Sequence, residues 1–124
     1  MIKNFKELIV WQKAFSLTKS VYEFTENFPR SEEYGLKSQM RRCAVSIVSN
    51  IAEGYARSTR KDYAHFLSNS LGSCAELETQ ILLSKEFNFL NEEQVKKLLT
   101  NLEEVGKMLT VIRKKLLNPL GVKV

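Results

Sequence analysis

Apolar residues recur at three- and four-residue spacing along four stretches of the chain, the pattern of amphipathic helices, and stop and start chemistry separates the stretches. The first places Leu8, Trp11, Phe15, Leu17, Val21, Tyr22, Phe24 and Phe28 ahead of Pro29. This predicts a helix over about 7–28, ended by a residue that has no backbone donor and disfavours helix in the residue before it. Ser31 can cap a second helix, expected over 31–57; Glu32 and Glu33 suit its positive end, and Leu36, Met40, Cys43, Ile47 and Ile51 form its stripe. Thr59 and Asp62 imitate a capping box ahead of Tyr63, Phe66, Leu67, Leu71, Cys74, Leu77 and Ile81, which predicts a third helix over 59–87. The fourth start is the most explicit. Asn91 as cap, Gln94 at the third helical position and a Leu90–Val95 staple open a helix over 91–117. Its Val95, Leu98, Leu102, Val105, Leu109, Ile112 and Leu116 alternate by three and four until Asn118-Pro119.

Four helices on short connections favour antiparallel neighbours, so the expected fold is all-α: one antiparallel up-down-up-down four-helix bundle in a single domain over 1–124. Gly35, Gly54, Gly72 and Gly106 fall within or beside helices, where close backbone approach is the simplest reason to keep them. The second helix carries a further apolar stripe, Val45, Val48 and Ala52, about 100 to 160° from Ile47. So wide an arc fits either a central position in one bundle or contact with another subunit. Arg41, Arg42, Ser46, Ser49, Asn50 and Glu53 lie where they can pair across such an interface. Glu78, close to the core direction, would need a partner if buried, and Arg41 or Arg42 could supply it; a solvated position is the alternative.

Composition narrows the classes. The 124 residues, 44% hydrophobic, suit one domain with its own core, and five Gly and two Pro exclude collagen-like and low-complexity chains. No apolar run approaches the ~20 residues needed to cross a bilayer, and the N-terminus has no export-signal pattern, so the cytoplasm is the expected compartment. Cys43 and Cys74 are too far apart in sequence for a zinc or redox motif and read as buried thiols. His65 is the single histidine, so a two-histidine metal helix is impossible. The Glu-x-x-His spacing of di-iron bundles does not occur, and no glycine-rich phosphate loop follows a strand. The expectation is a protein without catalytic residues, metal or cofactor.

Charge is more informative. Nineteen Lys and Arg against fourteen Asp and Glu give +5, and residues 107–124 hold Lys107, Arg113, Lys114, Lys115 and Lys123 with no acid. Lys96, Lys107 and Lys114 lie along one line of the fourth helix, and Lys6 and Lys13 repeat similarly near the first. Lys6, Lys13, Lys96, Lys107, Arg113, Lys114 and Lys115 are therefore the candidate phosphate contacts for RNA or DNA. Lysines that merely keep a bundle soluble are the alternative.

Phe5-x-x-Leu8-x-Val10-Trp11-Gln12-Lys13-Ala14, Tyr34-Gly35-Leu36-x-x-Gln39-x-Arg41-Arg42-Cys43-Ala44, Asn50-Ile51-Ala52-Glu53-Gly54 and Gly72-Ser73-x-x-Glu76-Leu77-Glu78-Thr79-Gln80 together resemble the four-helix-bundle family of 23S ribosomal RNA intervening-sequence proteins. The resemblance covers residues 5 to about 116, with Cys43 where alanine is commoner. Relatives resemble the accessory protein of diversity-generating retroelements, which implies a homopentameric barrel of bundles that engages nucleic acid and a reverse transcriptase. It places Arg41, Arg42, Asn50, Glu53, Glu76 and Glu78 in assembly. The expected function is a non-enzymatic homopentamer that binds RNA or DNA through a basic exterior. The alternative is a protein-protein adaptor for a polymerase, a reverse transcriptase or a ribosome-associated factor.

Overall fold

The computed structural model describes residues 2–121 as four α-helices: α1 Ile9–Thr25, α2 Leu36–Tyr55, α3 Arg60–Glu86 and α4 Glu92–Leu117. Short 3-10 turns at Phe5–Glu7 and Arg30–Glu32 precede α1 and α2. Each helix packs on two others, α1 and α3 each against α2 and α4, which gives a four-cornered bundle. Paired residues run in opposite directions along the α1/α2, α2/α3 and α1/α4 contacts, which makes α3 and α4 antiparallel as well. Thr18 reaches the Ala44 carbonyl while Arg41 reaches Thr25; Ser70 donates to the Ile47 carbonyl while Ser84 meets Met40; Lys13 pairs with Glu104 while Lys97 lies over Phe24. Neighbouring helices are thus antiparallel.

The start signals hold best where capping is local. Asn91 and Gln94 form the reciprocal box that opens α4, with Leu90 and Val95 both buried behind it, and the Thr59 hydroxyl accepts the Asp62 amide at the start of α3. The expectation for Ser31 fails. Residues 30–32 close a 3-10 turn instead, and the Glu32 carboxylate accepts the Leu36 amide at 2.9 Å, so α2 begins five residues later than expected. The first helix stops at Thr25, short of Phe28, because the chain must leave helical geometry before Pro29. Phe28 still folds back into the core against Phe89.

The core seam of α1 also differs from its expected stripe. Val10, Ala14, Leu17, Val21 and Thr25 are buried, whereas Phe15 and Tyr22 remain 47% and 42% exposed. Helix axes in a bundle lie about 8–10 Å apart, and the slimmer side chains fill that gap. The aromatic residues go to the flank, where Trp11 meets Phe5 edge to face and Phe15 at a tilt. On α2, Met40, Cys43, Ala44, Ile47 and Ile51 face the core, as do Leu67, Cys74, Leu77 and Ile81 on α3 and Val95, Leu98, Leu102, Val105 and Leu109 on α4.

Close backbone approach explains one glycine strongly. A Cβ on Gly54 would lie 2.8 Å from the Phe66 Cβ and 3.2 Å from the Tyr63 carbonyl oxygen, so this is where α2 and α3 press together. Gly72 and Gly106 have nothing within 4 Å of such an atom, and packing within the chain does not account for them. No helix among the described residues is long and apolar enough to cross a membrane.

Candidate nucleic-acid interface

Antiparallel packing brings the end of α4 to the start of α3, the end of α2 and the residues before α1. Arg113 donates from Nε to the Ser68 hydroxyl at 2.6 Å, the Tyr55 hydroxyl donates to the Ile2 carbonyl, and Gln12 donates to the Lys6 carbonyl. The Tyr55 and Tyr63 rings meet edge to face beneath them. This end of the bundle gathers Lys3, Lys6, Arg57, Arg60, Lys61, Arg113, Lys114 and Lys115, with Glu7, Glu53 and Asp62 as its acids. A cleft of about 520 Å³ lies among them, bordered by Arg60, Lys115 and Asn118 with Ile112 and Leu116 beneath. The opposite end has no excess of base: Glu23, Glu26, Glu32, Glu33, Glu86, Glu92 and Glu93 sit with Arg30, Lys37, Arg41, Lys85, Lys96 and Lys97, a near balance of seven acids and six bases.

The candidate phosphate contacts therefore divide. Lys6, Lys114 and Lys115 stand exposed at the basic end, and Arg113 is half-buried there. Lys13 and Lys107 lie farther along the bundle, paired with Glu104 at 2.8 Å and Glu103 at 3.1 Å. Lys96 belongs to the first turns of α4, at the balanced end. Sequence reading missed Arg57, Arg60 and Lys61. The signal was three bases within five residues at a helix junction, but what makes them a site is that the start of α3 lies beside the end of α4, where Arg60 and Lys115 border one cleft, which only the fold reveals. Arg57 lies with its guanidinium over the Phe66 ring at 4.4 Å, at one edge of the patch. Lys123 lies outside the described residues.

The candidate interface residues fall on three separate faces. Arg41, Val45, Val48 and Ala52 follow the α1 side of α2, with Val45 39% exposed and Val48 and Ala52 half-buried by their own chain. Arg41 is already engaged: it donates to Thr25 Oγ1 and the Tyr22 carbonyl, pairs with Glu26 at 3.1 Å and lies over the Tyr22 ring. It does not serve Glu78. Arg42 and Glu76 line a polar groove between α2 and α3 with Ser46 and Ser73, whose hydroxyls meet at 2.9 Å; Asn50 donates to the Ser46 carbonyl, and Glu53 is exposed on the same side of α2. Glu78 is exposed in a different groove, between α3 and α4. Arg42, Glu53, Glu76 and Glu78 make no ion pair among the described residues.

Cys43 and Cys74 are buried free thiols. Burial, aided by nearby Glu76, pushes the Cys43 thiol up to about 12; burial and then Cys43 push Cys74 up to about 12. Neither forms thiolate at neutral pH, which makes both packing groups rather than nucleophiles. Among the described residues no three His, Cys, Asp or Glu side chains gather as metal ligands.

The structure thus defines an all-α four-helix bundle with its positive charge concentrated at one end. The model of the 23S rRNA-intervening sequence protein family matches residues 6–111, most of the chain, and the protein belongs to that family. It is similar to a crystallised Bacteroides thetaiotaomicron protein of unknown function from the S23 ribosomal protein family. The two are 25% identical with a TM-score of 0.78, over 86% of this chain and 99% of that one. No curated protein matches the sequence significantly.

Proposed function

We propose that this family member is a non-enzymatic nucleic-acid-binding protein that acts as a homo-oligomer, a pentamer on the family resemblance, with the basic end of each bundle on the phosphate backbone of RNA or DNA. The reading rests on Arg60 and Lys115 bordering one cleft, with Lys61 and Lys114 exposed next to them in sequence at the start of α3 and the end of α4. Phosphate contacts of this kind supply affinity and salt dependence with little sequence preference. Copies arranged with their basic ends together multiply a modest +5 into a strong local field. The two free thiols suit a reducing compartment, and we place the protein in the cytoplasm.

The test is anisotropy titration of a labelled RNA hairpin with the wild type and with an Arg60→Glu, Lys61→Glu, Lys115→Glu variant. At 50 mM salt the variant should bind at least tenfold more weakly while keeping its helical spectrum and sedimentation. Equal affinity overturns the assignment.

A second reading, an adaptor for a polymerase, a reverse transcriptase or a ribosome-associated factor, draws on the balanced end. Tyr34 is 93% exposed there, and Phe87 is exposed just past the end of α3. Capture of such a partner that survives nuclease treatment and moderate salt, and is lost in a Tyr34→Ala, Phe87→Ala variant, would favour it.

A further inference from the structure

Two unlike apolar seams lie on opposite sides of the bundle. On the α1/α2 side the space between the helices is filled to a ridge: Trp11, Phe15 and Tyr22 recur at helical spacing beside Val45, with Trp11 and Phe15 in ring contact at 5.0 Å. On the α3/α4 side the corresponding space is open. Leu71, Cys74, Ala75, Leu99 and Gly106 line a groove of about 860 Å³, large enough for several aromatic rings. Gly106 sits in mid-helix with empty space where its Cβ would be, so its own chain gives no reason for the smallest residue there.

We propose that the α1/α2 ridge of one copy docks into the α3/α4 groove of a second copy, a head-to-tail contact; the proposal rests on the reading of the protein as a homo-oligomer. Bulk on one face matches a void on the other. Charge matches as well: Glu78 on the groove wall and Lys19, one turn beyond Phe15 on the ridge, each make no ion pair among the described residues. A ridge paired with itself would set Lys19 near its own copy and leave the groove empty. Joined through unlike faces, every copy retains one ridge and one groove until the assembly closes, and a closed ring follows where the rotation permits.

Sedimentation of three samples tests this: Phe15→Glu, Gly106→Trp, and their equimolar mixture, beside the wild type. Neither substitution enters the chain's own core, since Phe15 is half-exposed and Gly106 faces open space. Each variant alone should sediment as a 14.3 kDa monomer with an unchanged circular dichroism spectrum. The mixture should form a dimer and stop, because one intact ridge meets one intact groove. Lys19→Glu and Glu78→Lys should each weaken assembly and together restore it, a second readout free of bulky changes. A monomeric wild type at tens of micromolar overturns both the oligomer reading and this docking. A wild-type oligomer that persists in both variants, or persists in Gly106→Trp alone, overturns the docking and leaves assembly standing.

Discussion

Gly54→Ala probes the close approach of α2 and α3. The new methyl would lie 2.8 Å from the Phe66 Cβ, 3.0 Å from the Tyr63 ring and 3.2 Å from the Tyr63 carbonyl oxygen. Two of these are the rigid root of a side chain and a backbone atom, so α2 and α3 must part to admit it. Overpacking of this kind costs about 1–3 kcal/mol, against a helix-propensity gain of at most about 1 kcal/mol in the last turn of α2. The net expectation is a loss of about 0.5–2 kcal/mol. Gly72→Ala is the internal control, because its methyl meets nothing within 4 Å and the change should stabilise by up to about 1 kcal/mol. Urea unfolding followed by circular dichroism, at one fixed protein concentration, reads both as shifts in midpoint of opposite sign. A Gly54→Ala midpoint equal to or above that of Gly72→Ala would refute the close-approach argument.

Arg41→Leu should destabilise the fold by about 1–2 kcal/mol in thermal unfolding, since it removes bonds to Thr25 and the Tyr22 carbonyl. Glu26→Gln at the same pair should shift stability by less than about 1 kcal/mol, because Glu26 is 70% exposed and solvent screens the contact. Asn91→Ala breaks the reciprocal box at α4 and should cost about 1 kcal/mol, read in the same melts. For Cys43 and Cys74 the folded chain holds protons that the unfolded chain releases from about 9 upward. Their contribution is present below that pH and is lost as pH rises toward 12, so the urea midpoint should fall across this window and fall less in a Cys43→Ala, Cys74→Ala variant.

Local chemistry was legible in the sequence because its parts are neighbours in the chain. Asn91 and Gln94 are three residues apart, and the α4 seam from Val95 to Leu109 needs no knowledge of its partners to be read as a buried stripe. What depends on tertiary context was less so. Hydrophobic spacing alone could not decide which side of α1 turns inward, since the large Trp11, Phe15 and Tyr22 form a stripe of their own beside the Val10, Ala14, Leu17 and Val21 that fill the narrow interhelical gap. Ser31 had the right chemistry for a cap, yet the 3-10 turn after Pro29 carried the helix start past it. The basic end was half visible: Lys114 and Lys115 stood out as an acid-free run, while Arg60 and Lys61 join them only because α3 begins where α4 ends.

Polarity of charge, rather than its total, is the centre of this account, and two variants of identical net charge test it. One reverses Arg60, Lys61, Lys114 and Lys115 to Glu; the other reverses Arg30, Lys85, Lys96 and Lys97, at the balanced end. The measurement is the dependence of RNA-hairpin affinity on salt. The first variant should lose most binding, with a log–log slope flatter by about 3 if all four bases meet phosphates, while the second keeps a slope near the wild type's. Equal losses in the two variants would mean that RNA senses only overall charge, and would contradict the assignment of a basic end.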